Sequence, residues 1–137
     1  MANASVPRPT RTADIVSVQD LSPRVRVIRL AGIDLKNLEW SPGQKVKIKN
    51  ENWSRSYTPS RLDSNKGWME LVFCLHGNGP ASLWAQNASV GEPVSFIGPV
   101  NSIRGPSDSP VPAWALFLGD ETALGLGAAI VEGLSKD

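Results

Sequence analysis

Three side chains in the segment 55–58 are suited to a flat ligand that carries phosphate: Arg55, Tyr57 and Thr58. On an extended strand Arg55 and Tyr57 point to the same side, because side chains alternate, and Pro59 favours an extended conformation at Thr58. One face could then offer a guanidinium to a phosphate and a phenol ring to a heterocycle. The alternative is an ordinary strand with Tyr57 at the edge of the core and Arg55 in solvent.

A second segment, "HGNGPAS" at 76–82, combines glycine and proline with a predicted helix start. The helix would begin at Pro80, since a first turn tolerates proline, and Ser82 would lie in that turn. Backbone N–H groups are free at the positive end of a helix dipole and bind anions there. The alternative is a simple strand-to-helix turn that Ser82 helps to start. If Arg55 meets the same anion, the two segments together predict a pyrophosphate site.

The other reactive side chains are interpreted as structural. His76 has no evident partner residue in the sequence, so it is predicted to be structural or a hydrogen-bond donor. Cys74 lies in an apolar run at 71–75 and is predicted to pack in the core. The lysines of "KVKIK" are interpreted as a solvated strand face, with steering of an anionic substrate as the alternative.

Composition excludes several classes of protein. The 137 residues suit one ordinary domain and are too few for two complete nucleotide-binding domains. A net charge of +1 gives no global field that would recruit nucleic acid or membrane. One cysteine excludes an internal disulfide, and with one histidine it argues against iron–sulfur and multi-histidine metal sites. No run approaches the roughly 20 apolar residues of a membrane span, so a cytoplasmic protein without membrane insertion is expected.

The elements that must position these residues are short strands, because eleven prolines and twelve glycines interrupt the chain. Six strands are predicted from "ADIVSVQD", "RVRVIRL", "KVKIK", "RSYT", "WMELVFCL" and "PVSFIGP", with order beginning near Ala13. The polar loop "DSNKG" predicts a hairpin between "RSYT" and "WMELVFCL". Alternation in the second strand breaks at Ile28, which predicts a bulge near Val27 and Ile28.

Two helices are predicted. "GPASLWAQNA" places Leu83, Trp84 and Ala88 on one helical face. Beyond a linker-like segment from Arg104 to Pro112, the apolar run "AWALFLG" and the helical pattern "TALGLGAAIVEGL" predict a buried strand and a helix, the first half of a βαβ unit. Three tryptophans are predicted to be buried: Trp68, Trp84 and Trp114.

The predicted fold is mainly β: a six-stranded antiparallel Greek-key β-barrel with one helix, plus the first strand and helix of a truncated α/β domain. Residues 1–12 are expected to be a flexible tail. Residues 13–112 would form the barrel domain with its C-terminal linker, and residues 113–137 would begin the incomplete α/β domain.

Five segments, "WSPGQKVKI", "RSYT", "FCLHGNGPASLWA", "GEPVSFIGP" and "LFLGDETAL", occur in an order and spacing that resembles the siderophore-interacting proteins. These are flavin-dependent ferric-siderophore reductases of the ferredoxin-NADP reductase superfamily, and the resemblance runs from about residue 13 to 124. It implies FAD as cofactor, NAD(P)H as electron donor and a ferric siderophore as acceptor, whose Fe(III) is reduced to Fe(II) to release iron. The barrel would then bind FAD and the α/β part NAD(P)H.

The resemblance also implies roles for single residues. Arg55 would contact the FAD phosphates, while Tyr57 against the isoalloxazine ring and Thr58 near flavin N5 would be the catalytic pair. The pyrophosphate would be cradled by Gly79, Pro80, Ala81 and Ser82. His76 and Gly77 would border the flavin, and "GDETA" would place Asp120, Glu121 and Thr122 near its reactive side.

The sequence departs from the family pattern at two positions. Ser60 stands where the pattern has a second arginine, and Gly125 stands where a proline would follow the leucine. Two other functions remain open from the residues: a flavin-binding module without independent catalysis, and a ferredoxin-reductase-type flavoprotein with another electron acceptor.

Overall fold

A computed structural model describes residues 7–102, 114 and 116–134. Within these ranges the chain forms seven strands: β1 Thr10–Ser22, β2 Val25–Ala31, β3 Lys45–Lys49, β4 Ser54–Tyr57, β5 Arg61–Asp63, β6 Trp68–Cys74 and β7 Pro93–Val100. Two α-helices accompany them, α1 Pro80–Asn87 and α2 Leu124–Leu134, with 3-10 turns at Ile33–Leu35 and Glu121–Ala123. The predicted linker at Arg104–Pro112 lies outside the described residues.

The strands form one antiparallel sheet in the order β4-β3-β7-β1-β2-β6-β5. The two edge strands, β4 and β5, are consecutive in the chain and only residues 58–60 separate them. Because so short a connection joins opposite edges, the sheet must curl until its edges meet, which is the barrel that the sequence predicts. This corner, defined as Thr58, Pro59 and Ser60, sits at the closure of the barrel.

The strand count and one hairpin differ from the prediction. The loop "DSNKG" joins β6 to β5, an added three-residue strand, in the register Arg61↔Glu70 and Asp63↔Trp68. The strand "RSYT" pairs with β3 at the other edge of the sheet, with Val46 opposite Tyr57. The predicted pairing of "RSYT" with β6 is therefore wrong, because the chain turns at the corner before it reaches β6.

The first hairpin also differs in detail. β1 begins at Thr10, three residues before the expected start of order at Ala13, because its first residues pair with β7, Thr10 opposite Ile97. The register shifts lie in β1, between Ile15 and Ser17 and again near its end, whereas β2 pairs continuously with β6. The bulge that was predicted in β2 is therefore a feature of its partner strand, and β2 keeps a regular alternation.

The core lies inside the barrel and follows the period of two. In β3, Val46 and Ile48 are buried while Lys47 and Lys49 are exposed, as predicted. The largest fully buried side chains come from five strands, the first 3-10 turn and the corner: Phe73, Phe96, Ile15, Ile28, Leu30, Leu35, Ile48, Met69, Leu71, Val46 and Pro59. In α1 the buried residue is Ala85, and the predicted inward residue Leu83 is exposed.

The C-terminal segment forms its helix, but the described residues of the predicted strand, 114 and 116–119, have no strand assignment, and residues 113 and 115 lie outside the described ranges. Residues 116–120 have no strand assignment, and Leu116 and Leu118 are 72% and 82% exposed. A strand needs a hydrogen-bonding neighbour, and the described chain supplies none beside this segment. Trp114, predicted to be buried, is 78% exposed for the same reason. No helix in the described ranges is long and apolar enough to cross a membrane.

Candidate functional site

The first wall of the site is the end of β4. Arg55 and Tyr57 lie opposite the buried residues Ile48 and Val46 of β3, so both side chains are on the inward side of β4. The Tyr57 ring packs on Phe73 with 4.5 Å between centroids. Burial raises the pKa of Tyr57, and the charge of Arg55 partly opposes that rise. Tyr57 therefore stays a neutral phenol, held half-buried beside the exposed guanidinium of Arg55.

The corner that follows β4 is fixed by its own hydrogen bonds. Pro59 is fully buried, and Ser60 is 6% exposed. Both the backbone N–H and the hydroxyl of Ser60 donate to the carbonyl of Glu70, at 2.9 and 3.2 Å. Ser60 thus ties the corner to β6, and Thr58 is held at the closure of the barrel.

The second wall is the start of α1. Gly77 has a φ of 66°, a conformation that favours glycine, and Gly79 is the N-cap residue without a side-chain cap. The first hydrogen bond of the helix is donated by the N–H of Leu83 to the carbonyl of Gly79, at 2.9 Å. The N–H groups of Ala81 and Ser82 therefore remain at the open end of the helix, where a ligand can receive them. His76 is exposed beside this turn.

Aromatic packing links the first two walls. Phe73, at the centre, contacts Tyr57 on one side and Trp84 of α1 on the other, with 5.5 Å between the Phe73 and Trp84 centroids. Trp84 in turn lies 5.7 Å from Trp53. The buried Phe73 therefore joins β4, which carries the Tyr57 ring, to α1, whose N-terminus opens toward the site.

The third wall is the turn that leads into α2. The Asp120 carboxylate accepts hydrogen bonds from the backbone N–H and the hydroxyl of Thr122, at 2.9 and 2.6 Å. These bonds hold the pKa of Asp120 below its usual range, with a smaller effect from His76. The Cys74 thiol donates to the Glu121 carbonyl at 2.7 Å, so the turn rests on the outward face of β6. Cys74 is only half-buried there, and its predicted place in the core is wrong.

The three walls enclose an open cleft of about 560 Å³. It brings together most of the predicted site residues: Arg55, Tyr57, Thr58, His76, Gly79, Pro80, Ala81, Ser82 and Thr122. Gly77 and Asp120 lie beside the cleft without lining it. Val72, Cys74, Gly125 and Leu126 also line it, and sequence reasoning did not assign them. The alternation of β6 was the signal for Val72 and Cys74, since both share its outward face.

The lining of the cleft fits a flavin that carries a pyrophosphate. Arg55, His76 and the open N–H groups of α1 are donors, and no carboxylate is among the described residues that line the cleft. Arg55 forms no ion pair with any residue in the described part of the chain, and its Nη1 donates only to the adjacent Ser54 carbonyl, at 3.0 Å. Tyr57 and Val72 supply apolar surface. The volume is in the range usual for small-molecule sites.

Comparison with known proteins agrees with this chemistry. Residues 49–103, which contain the β4 wall and the α1 wall, match the siderophore-interacting FAD-binding domain family. The NADPH-dependent ferric-chelate reductase of Escherichia coli strain K12 is 34% identical over 83 residues, covering 61% of this chain and 31% of that protein. The matched segments span 29% to 31% of the length of the curated relatives.

Solved structures share the fold. A siderophore utilization protein from T. fusca superposes with a TM-score of 0.71 at 22% identity, covering 93% of this chain and 57% of the other. The ferredoxin reductase in carbazole 1,9a-dioxygenase reaches 0.80 at 22% identity, covering 97% of this chain and 40% of the other. At these identities the likeness is one of fold. The chain therefore has a ferredoxin reductase-like fold, and its residues 49–103 match the siderophore-interacting FAD-binding domain.

Proposed function

We propose that this chain is the FAD-binding portion of an NAD(P)H-dependent ferric-siderophore reductase, with residues 13–112 as the FAD-binding domain and residues 113–137 as the start of a nicotinamide-binding domain. The observation that carries the proposal is the cleft shared by Arg55, Tyr57 and the N-terminus of α1. The similarity to the ferric-chelate reductase of Escherichia coli supports the choice of acceptor. NAD(P)H and a ferric siderophore are the proposed partners of the whole reductase.

In this proposal the chain's residues orient the cofactor. Arg55 and the N–H groups of Ala81 and Ser82 bind its phosphates, where a cation and a helix dipole act on the same charge. Tyr57 lies against the ring, and the Thr58 hydroxyl donates near N5. Bound FAD accepts a hydride and passes on single electrons, which is the chemistry that reduction of Fe(III) requires.

The remaining predicted residues border the reactive side. His76 and Gly77 lie at the turn before α1, and Asp120 and Thr122 lie at the turn before α2. Because Asp120 accepts both hydrogen bonds of Thr122, this turn is ordered by its own contacts. We propose that it faces the position where the nicotinamide donor approaches.

The test is a titration of the purified chain with FAD and with riboflavin, which has the ring but no phosphate. Arg55→Ala is expected to weaken FAD binding by about 10- to 100-fold, since a charge-assisted hydrogen bond contributes about 1.5–3 kcal/mol. Riboflavin binding should change little. Lys47→Ala is the matched control, because it removes one exposed cation from the neighbouring strand outside the cleft. A wild-type chain that does not bind FAD would overturn the proposal.

A second candidate is a flavin-binding module without catalysis of its own. The observation that favours it is the exposed apolar segment at 116–118, which has no strand assignment, so that α2 is the main regular element among the described residues of the proposed nicotinamide-binding part. FAD binding without oxidation of NADPH in the presence of a ferric chelate would support the module. Steady NADPH oxidation would support the reductase.

A further inference from the structure

Helix α1 has little stability of its own. It has eight residues, with no acidic residue in its first turn, no basic residue in its last turn and no side-chain cap at Gly79. Isolated helices of this length are marginal in water, so tertiary contacts must hold it. Trp84 and Ala85 pack one side of the helix against the core, but the last carbonyl groups of a helix have no partner within the helix and need donors from elsewhere.

Arg26 supplies that contact from β2, about sixty residues earlier in the chain. Its Nη1 donates to the carbonyls of Ala85 and Gln86, at 2.8 and 2.7 Å. Its Nε and Nη2 donate to the Asp20 carboxylate at 2.7 and 3.0 Å. The Arg26 side chain is 17% exposed, whereas Asp20 is 55% exposed. A cation thus sits on the negative end of the helix dipole, and Asp20 fixes the orientation of its guanidinium plane.

Arg26 has the same parity on β2 as the buried residues Ile28 and Leu30, and its guanidinium reaches the C-terminal end of α1. It is absent from the residues that line the cleft, so it acts through the helix. Because α1 is short, fraying at its last carbonyls reaches the N–H groups of its first turn within two turns of helix. An effect on Arg26 should therefore appear at the phosphate end of the site.

We propose that Arg26 is a positioning residue for the cofactor: by holding the C-terminal carbonyls of α1, it keeps the N-terminal N–H groups directed at the phosphates. This inference rests on the proposed function, since it takes α1 as the phosphate-binding helix. It predicts a defect specific to the phosphate-bearing part of the ligand.

The test compares Arg26→Met with Arg29→Met in the full chain. Arg29 is the matched control because it lies on the same strand, forms an ion pair with Glu70 at 2.6 Å and stacks over the Trp68 ring, away from α1. Arg26→Met is expected to raise the Kd for FAD by about tenfold or more, leave the Kd for riboflavin within about twofold, and speed hydrogen exchange of the α1 amides. Arg29→Met should leave the FAD-to-riboflavin ratio unchanged.

Arg26→Lys and Asp20→Asn keep a cation at the helix and remain informative if Arg26→Met does not fold. Both are expected to give intermediate losses of FAD affinity, since the lysine lacks the planar fork and the asparagine pairs with the guanidinium without charge. Equal losses of affinity for FAD and riboflavin, or unchanged FAD affinity in Arg26→Met, Arg26→Lys and Asp20→Asn, would overturn the positioning role of Arg26 but not the proposed phosphate site. A wild-type chain that binds riboflavin but gains no affinity from the phosphates of FAD would instead overturn the proposed phosphate site.

Discussion

Gly125, the second residue of α2, lies against the backbone carbonyl of Thr58: a Cβ built on Gly125 would be 2.8 Å from that oxygen. Gly125 is buried. The close approach places the first turn of α2 on the corner that ends β4. One side of the cleft is therefore built by a contact that only glycine permits.

Gly125→Ala should destabilise the chain by about 1–3 kcal/mol, because the added methyl meets backbone and α2 must shift. Gly127→Ala is the control in the same helix: its Cβ would lie 3.2 Å from the movable ring of the exposed Phe117. We expect Gly127→Ala to be neutral or to stabilise by up to about 1 kcal/mol through helix propensity. Urea unfolding measures both variants, and equal stability of the two would show that α2 does not need this contact.

Tyr57→Ala should lower FAD affinity by about tenfold, whereas Tyr57→Phe should stay within about twofold of the wild type. The reason is that both the packing on Phe73 and the surface offered to the flavin come from the ring, and aromatic contacts contribute about 0.5–1.5 kcal/mol beyond burial. Titration followed by the visible flavin spectrum measures both variants. A Tyr57→Ala protein with full affinity and an unchanged spectrum would remove Tyr57 from the site.

Cys74 should react slowly with thiol reagents at neutral pH. Burial raises the pKa of its thiol, and the nearby carboxylates of Glu121 and Asp120 raise it further. The thiolate that reacts therefore forms only above the usual range of a cysteine, about 8.5. Because the folded pKa exceeds the unfolded one, this group's contribution to stability is complete at lower pH and is lost as pH rises through the folded pKa.

Rates of reaction with a chromogenic disulfide between pH 7 and 10 test this, with Cys74→Ser as the blank. Since Cys74 lines the cleft, saturating FAD should slow the reaction at every pH. Rapid modification at neutral pH that FAD does not change would contradict the placement of Cys74.

The exposed apolar segment should promote self-association at high concentration. Trp114, Leu116, Phe117 and Leu118 are all exposed, and contiguous apolar surface of this kind favours contact with other molecules. Replacing Leu116 and Leu118 with glutamate is expected to keep the chain monomeric. Sedimentation velocity over a range of concentrations measures this, and a clean monomer for the unaltered chain at the highest concentration would refute the expectation.

Local patterns were sufficient to predict most elements. The alternation of "KVKIK" correctly predicted which side chains of β3 are buried, and the Gly-Pro start correctly predicted α1. Patterns of this kind report which face of a strand or helix is apolar, because side-chain direction repeats along a regular backbone. They do not report the neighbouring strand, so "RSYT" was paired with β6 instead of β3.

Some residues of the candidate site were predictable from local sequence, and others were found only in the structure. Arg55, Tyr57 and the turn before α1 were identified from residue type and local spacing, since an edge strand and a helix N-terminus are local features. Cys74 and Gly125 belong to the site because of contacts between residues far apart in the sequence: Cys74 with Glu121, and Gly125 with Thr58.

The sequence alone predicted the strand-rich barrel, the helix start and a set of donor groups suited to a phosphate-bearing ligand, because each depends on the chemistry and periodicity of neighbouring residues. Only the tertiary structure decided that α2 closes the cleft at Thr58 and that Arg26 holds the far end of α1. Both contacts join residues about sixty positions apart in the sequence. The curl of the sheet brings these residues together, and such long-range contacts produce no repeating pattern in the sequence from which they could be predicted.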